Sequence, residues 1–290
     1  MRKMVAPTRT EATMCSPHCI ETVKTRIAGE SAAGVSRRHF LGAAAVGAAA
    51  LPGCALTVAR RRGGARVVDL SHVLSPAFPT FFGAAGISVE QLYNYAEHKV
   101  NGGVWHVNEH CGTHLDAPIH YSAAGATNEA IPVGDLVAPL AVVDISARAE
   151  SDADALLVPE DLHDFESAHG PIPAGACVAM YSGWERHVNG AKFRNTDAAG
   201  VMHFPGFHPD ATQWLLEERE VRGIAVDTLS IDRGMDGAFP VHYQWLGAGR
   251  WGMECAANLA GLPAVGATLI VGALPIQGAT GGPARLMALV

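Results

Sequence analysis

The sequence predicts a mixed α/β domain, and three observations carry that expectation. Residues 209–220 form its best helix, with Ala211, Trp214, Leu215 and Glu218 at helical spacing and Pro209 suited to the first turn. An apolar strand candidate, 223–227, follows almost at once, and a helix-then-strand unit is typical of mixed α/β architecture. The 228 residues from 63 to 290 are enough for one hydrophobic core, and no linker splits them, so they read as a single domain.

The elements follow in order. Arg66-Val67-Val68-Asp69-Leu70-Ser71-His72-Val73-Leu74 is a short strand with an alternating start. Ser75-Pro76-Ala77-Phe78-Pro79 breaks it, and the loop continues through Thr80-Phe81-Phe82-Gly83. Gly102-Gly103 marks a turn, after which residues 104–108 alternate as a strand. Residues 136–145 are a buried strand with Pro139 near its start. A helix opens at 159–166, where Pro159, Glu160 and Asp161 suit a first turn. Residues 177–181, 269–274 and 284–290 complete the strand candidates, and there is no internal repeat.

Charge divides the chain. Residues 1–62 hold ten Lys/Arg against three Asp/Glu, a formal +7, whereas residues 63–290 hold eleven against twenty-five, a formal −14. So acidic a body repels phosphate backbones, which argues against nucleic-acid binding. Within the basic segment, Ser36-Arg37-Arg38-His39-Phe40-Leu41 leads into an Ala/Gly-rich run without charge as far as Ala59. Paired arginines, a modestly apolar stretch and small residues look like a twin-arginine signal, which makes 1–62 an export leader removed from a periplasmic protein. A membrane anchor is the competing reading. Pro52 inside the run and Arg60-Arg61-Arg62 on its far side oppose it. Leu51-Pro52-Gly53-Cys54 faintly resembles a lipoprotein processing site, an alternative in which Cys54 carries a lipid. In the body, Cys111, Cys177 and Cys255 are odd in number and unpaired in spacing, so no disulfide framework is expected.

The chemistry concentrates in Asn108-Glu109-His110-Cys111-Gly112-Thr113-His114-Leu115-Asp116-Ala117-Pro118-Ile119-His120. Histidine nitrogens and carboxylate oxygens are the usual ligands of a catalytic divalent metal. A helix would be broken by Pro118 and would turn Asp116 away. A straight strand would hold His110 and His114 ~13 Å apart at ~3.3 Å per residue, too far for one ion on ~2 Å bonds. The stretch is therefore expected to bend at Gly112, with Asp116 and His120 continuing on an extended run. A histidine-rich surface loop is the competing reading, outweighed by four metal-capable side chains among turn formers in an apolar context.

These residues fill every fixed position of H-x-G-T-H-x-D-x-P-x-H, and the string resembles the signature of the cyclase superfamily of metal-dependent hydrolases, which includes kynurenine formamidases and isatin hydrolases. The resemblance extends over most of 67–290. It implies a swivelling β/β/α fold, usually oligomeric, here a homodimer or homotetramer. It implies His110, His114 and Asp116 as metal ligands and His120 as the catalytic acid/base. His242 and Glu254, twelve residues apart, match a pair that completes the metal site in formamidase-like relatives, with His242 serving a second ion if one binds. Cys255 stands where an asparagine is common. Phe81 takes the place of a pocket tryptophan, with ordinary core packing as the alternative. Asp227-Thr228-Leu229-Ser230-Ile231-Asp232 is similar to an element near the family's site, though either aspartate could simply cap a turn.

Gly247-Ala248-Gly249-Arg250-Trp251-Gly252 fits a dinucleotide fingerprint but lacks the apolar strand before it and the acid about 20 residues beyond. No Gly-x-Ser-x-Gly elbow occurs, which counts against a serine hydrolase. The expected function is hydrolysis of an amide-type C–N bond, in an N-formyl aniline or a cyclic amide such as isatin, with Zn²⁺ or Mn²⁺, one or two per chain. A lactone or ester hydrolase and an exported binding protein without turnover are the alternatives. The free imidazole of His120 separates them, because a binding protein has no use for it.

Overall fold

The computed structural model describes residues 65–290. The leader, its arginine pair and Cys54 lie outside the described residues. The chain divides into two compact units. Among the described residues the smaller comprises 91–102 and the larger 65–90 with 103–290.

In chain order the elements are β1 (Val67–Asp69), β2 (Ile87–Tyr93), α1 (Tyr95–His98), β3 (Gly102–Val107) and β4 (His114–Asp116). Then come β5 (Val137–Asp144), α2 (Ser146–Ser151), β6 (Leu156–Leu157), α3 (Pro159–His169), β7 (Cys177–Tyr181), β8 (Gly206–Phe207) and α4 (Pro209–Glu218). The last are β9 (Gly223–Val226), α5 (Pro240–Gly247), β10 (Trp251–Glu254), β11 (Ala267–Ala273) and β12 (Gly281–Leu289). The main sheet runs β1-β12-β11-β5-β7-β9-β10-β4, and β4 also pairs with β12, so the sheet closes on itself. β5, β7, β9 and β10 are parallel neighbours. β4, β11 and β12 join antiparallel and complete the ring. β2 pairs with β3, and β6 with β8, in separate two-stranded sheets.

Sequence periodicity explains how the two faces fill. Along β7, Cys177 and Ala179 enter one core with Leu115, Leu140, Met253 and Leu286, while Val178 and Met180 enter the other beneath the helices. Ala225 follows the first set, and Ile224 and Val226 the second. Both faces of these parallel strands are covered, so they read as continuous apolar runs. Each fully buried large apolar side chain contributes roughly 1.5–3 kcal/mol. A one-residue slip would exchange the two faces, so register is held firmly. Pro159 and Pro209 open α3 and α4, and Asp161 accepts a hydrogen bond from the Val158 N–H at 2.8 Å.

Several expectations change in detail. The strand expected over 66–74 stops at Asp69, after which Ser71 makes one isolated bridge to Ala256. The helix at 159 runs to His169, and 209–220 ends at Glu218. β2, α5 and β10 were not anticipated. α5 and β10 are short, flanked by Gly247 and Gly249, and carry no long periodic signal. The would-be dinucleotide pattern is the link between them. Cys111, Cys177 and Cys255 are free and buried. Among the described residues no helix is long and apolar enough to cross a membrane.

Candidate metal centre and active site

β4 lies between β10 and β12 and is antiparallel to both, and this placement builds the site. Across β10, Glu254 pairs with His114 and Gly252 with Asp116; across β12, Gly281 pairs with Asp116. Strand register thus sets Glu254 beside residues far from it in sequence. Gly112, at φ +67°, supplies the bend ahead of β4. Thr113 Oγ1 donates to the Cys255 carbonyl at 2.6 Å and accepts from the His72 N–H at 2.9 Å, fixing the bent loop to the end of β10. Gly281 is needed for close approach, because a Cβ there would lie 2.6 Å from His110 Cε1 and 2.4 Å from the Leu115 carbonyl oxygen.

After Asp116 the chain does not stay extended. Pro118–His120 is a 3₁₀ turn that folds back and stacks the His120 ring on His110, with centroids 3.8 Å apart. Pro118, its φ fixed at about −65°, is accommodated at the first position of that turn. His120 therefore reaches the site by a reversal and not along a strand face.

Three imidazoles and two carboxylates converge there. His114 Nε2 lies 3.3 Å from Asp116 Oδ1 and 3.4 Å from Glu254 Oε2. His242 Nε2 lies 3.3 Å from Glu254 Oε1 and 3.6 Å from Asp116 Oδ2, and His110 Nδ1 lies 2.7 Å from Asp116 Oδ1. The Nδ1 of His114 donates to the Gly112 carbonyl at 2.9 Å and that of His242 to Asp232 at 2.6 Å, which turns each Nε2 toward the carboxylates. His114 Nε2 and Asp116 Oδ2 are buried with no hydrogen-bond partner. Nitrogen and carboxylate lone pairs facing one another in a dry site need a positive charge between them, which a proton or a metal ion supplies. Donor atoms on ~2 Å bonds in a tetrahedral site stand roughly 3.3 Å apart, the separation seen here. Two donor groups share Asp116, namely His110 with His120 and His114 with Glu254, each with its atoms within 4.8 Å of one another. The donor set fits a divalent metal.

The electrostatics agree. Burial alone would lower the His114 pKa, but Asp116 and Glu254 overcome it and raise it to about 9. Burial likewise opposes the charge on His242, yet its bonds to Asp116, Asp232 and Glu254 hold it well above the usual imidazole range. Asp116 goes the other way: despite burial, the surrounding histidines hold its carboxyl well below the ordinary range. His120 is different, since burial pushes it down to about 4, against the pull of Asp116. It is therefore a neutral imidazole at neutral pH.

The donors form the floor of a cavity of about 140 Å³. Its lining includes Phe81, Phe82, Tyr121 and Phe239 but no lysine or arginine. Phe81 sits 5.8 Å from Phe239, and Tyr121 lies 4.6 Å from His242 and 4.7 Å from His120, as ring centroids. Arg194 Nη2 holds the Phe81 carbonyl at 3.1 Å. Asp232 accepts from the Val241 and His242 N–H groups as well as from the His242 ring, so it orients that histidine. Asp227 lies apart from the donors. It is buried, accepting from Ser182 Oγ at 2.6 Å and the Trp184 N–H at 2.8 Å, and anchors that loop. The structure thus brings together His110, His114, Asp116, His120, His242, Glu254 and Phe81. Sequence reasoning passed over Tyr121, Phe239, Glu109 and Thr280. Tyr121 and Glu109 carried a local signal, their adjacency to His120 and His110.

The Cyclase family model matches residues 68–233. The chain is 34% identical over 247 residues to the isatin hydrolase of Roseibium aggregatum, covering 79% of this chain and 93% of that protein. Among solved structures it resembles isatin hydrolase A from Labrenzia aggregata bound to benzyl benzoate, with TM-score 0.73 and 38% identity over 78% of this chain and 93% of that one. A second isatin hydrolase, bound to the product analogue thioisatinate, gives TM-score 0.74 and 31% identity over 79% and 93%. The chain belongs to the cyclase family of metal-dependent hydrolases, and its closed mixed sheet is that family's swivelling β/β/α fold. Within the family it is a metal-dependent amidohydrolase acting on a small molecule.

Proposed function

We propose that this enzyme opens a small cyclic amide fused to an aromatic ring, an isatin-like lactam, with an N-formyl aniline as the related acyclic substrate. One observation carries the reading. A cluster of imidazole lone pairs and carboxylates that requires a cation forms the floor of a small cavity walled by aromatic rings. His110, His114, Asp116 and Glu254 hold the ion, with His242 completing a second position where two bind. Ligands of this type suit Zn²⁺ or Mn²⁺. When bound, the ion polarises the carbonyl and makes water acidic near neutral pH.

The chain's own residues do the rest. Phe81, Tyr121 and Phe239 hold the aryl plane and exclude bulk water. His120, kept neutral by burial, takes a proton from the attacking water as the new C–O bond forms. It then returns that proton to the nitrogen as the C–N bond breaks, giving an aromatic amine and a carboxylic acid that releases its proton to solvent to become a carboxylate. Hydrolysis of isatin, N-formylkynurenine and simple lactones by the metal-loaded protein tests this. Turnover of lactones alone would overturn the amide assignment.

The reading extends to a periplasmic protein delivered by the twin-arginine machinery, a single hydrolase domain over 63–290, and a homodimer or homotetramer. Arg37-Arg38 and the uncharged run after them support export, with lipidation at Cys54 as the lesser alternative. Replacing Arg37 and Arg38 together with lysine should hold the protein in the cytoplasm of a bacterial host. Unchanged periplasmic delivery would make the pair incidental.

A further inference from the structure

His110 faces the site the opposite way round from its neighbours. His114 and His242 give their Nδ1 hydrogens to the Gly112 carbonyl and Asp232, and so present Nε2. In His110 it is Nδ1 that lies 2.7 Å from Asp116 Oδ1, while Nε2 lies 2.8 Å from Thr280 Oγ1. A hydroxyl both donates and accepts, so that contact alone leaves the ring's tautomer open. Glu109 closes the question. The Thr280 hydroxyl lies 2.5 Å from Glu109 Oε2, and the same oxygen takes the Thr280 N–H at 2.9 Å. A carboxylate only accepts, so the single hydroxyl hydrogen goes to Glu109. Thr280 Oγ1 then offers His110 nothing but lone pairs, and His110 Nε2 must carry the hydrogen. Nδ1 is then the ring atom that faces Asp116 Oδ1 and the donor cluster, where a bound ion would take the place between them.

We infer that Glu109 and Thr280 are positioning residues that fix His110 as an Nδ1 metal ligand through the relay Glu109–Thr280–His110. The geometry around them serves this arrangement. The Ala117 N–H holds the Thr280 carbonyl at 3.0 Å, and the next residue, Gly281, leaves room for the ring. Glu109 comes from the loop before β4 and Thr280 from the turn before β12, so the relay also ties together the two segments that frame Asp116. Partners of this kind typically alter metal affinity 10- to 100-fold.

The inference rests on the metal-site reading above, and one set of measurements separates the two. Zinc affinity of the full-length protein is measured by chelator competition in the parent and in Thr280→Val, Thr280→Ser, Glu109→Ala and Glu109→Gln. Thr280→Val and Glu109→Ala should bind zinc roughly 10- to 100-fold more weakly. Thr280→Ser and Glu109→Gln, which keep a hydroxyl and an accepting oxygen, should stay near the parent. Long-range ¹H–¹⁵N correlation on the zinc-loaded parent needs no variant to fold except for assignment, His110 being identified by the peaks missing in His110→Gln. It should show hydrogen on Nε2 and the ion on Nδ1. Hydrogen on Nδ1, undiminished affinity in Thr280→Val, or an equal loss in Thr280→Ser would overturn the relay while leaving the metal site standing. A parent that binds no zinc would overturn the site itself, and the relay with it.

Discussion

The floor and the wall of the cavity are built differently. His114, Asp116 and Glu254 stand on adjacent strands, each nearly inaccessible to solvent, and Asp232 locks His242 through two hydrogen bonds from that residue and a third from the Val241 N–H. The wall is loop-borne. Phe81 is only half-buried, Phe82 is 64% exposed, and their loop is held by ring contacts, the bond from Arg194 and the Thr80 hydroxyl donating to the Ala84 carbonyl at 2.6 Å. Chemistry needs donors fixed to within a fraction of an ångström, which a sheet provides, whereas choice of substrate tolerates variation that loops supply. Disturbing the floor should therefore change metal content and kcat, and disturbing the wall should change KM.

The largest effect is expected at Asp116, the one residue shared by both donor groups. Asp116→Ala should lose metal by elemental analysis and activity with it; His110→Ala and His114→Ala should also lose metal. Full metal content in all three would place the centre elsewhere. Next comes His120, which stacks on the floor but touches the wall through Tyr121. His120→Ala should keep its metal and its melting temperature while kcat falls roughly 10²- to 10⁴-fold. A matching loss of metal would make it a ligand instead. On the wall, Phe81→Ala should raise KM about tenfold, equivalent to ~1.4 kcal/mol of apolar contact, with metal content unchanged. Arg194→Ala, acting only through the Phe81 loop, should raise KM less. A fall in metal content in either would show that floor and wall are coupled.

The smallest effect is a pH trend of the metal-free floor. His114 has its pKa raised to about 9 in the fold, from an ordinary value of ~6.5. Stability from such a group is fully present below ~6.5 and is lost as pH rises through about 9. Chelator-treated protein should thus melt progressively lower between pH 6.5 and pH 9. The metal-loaded protein should not, because the ion replaces the proton. Identical pH profiles with and without metal would mean that the cluster holds no ion.

The amino-acid sequence by itself determined the local parts. His110 to His120 carries its donors within one short stretch, and Gly112 announces the bend between them, because side-chain chemistry and backbone freedom are properties of neighbouring residues. The apolar runs of β5, β7 and β9 and the proline-opened helices α3 and α4 were legible for the same reason: periodicity and capping act within a few residues. Where His120 would lie was not, since Pro118 is compatible with an extended run and the observed turn is held by stacking on His110. Tertiary structure alone decided the rest. Glu254 is a ligand candidate only because β10 pairs with β4 in the register that sets it opposite His114. Thr280 reaches His110 only because β12 closes the sheet on β4's other side. Aromatic residues as distant as Phe81 and Phe239 become one wall only when that closure brings their loops together. Strand pairing and ring contact join residues with no fixed separation along the chain, so no local pattern encodes them.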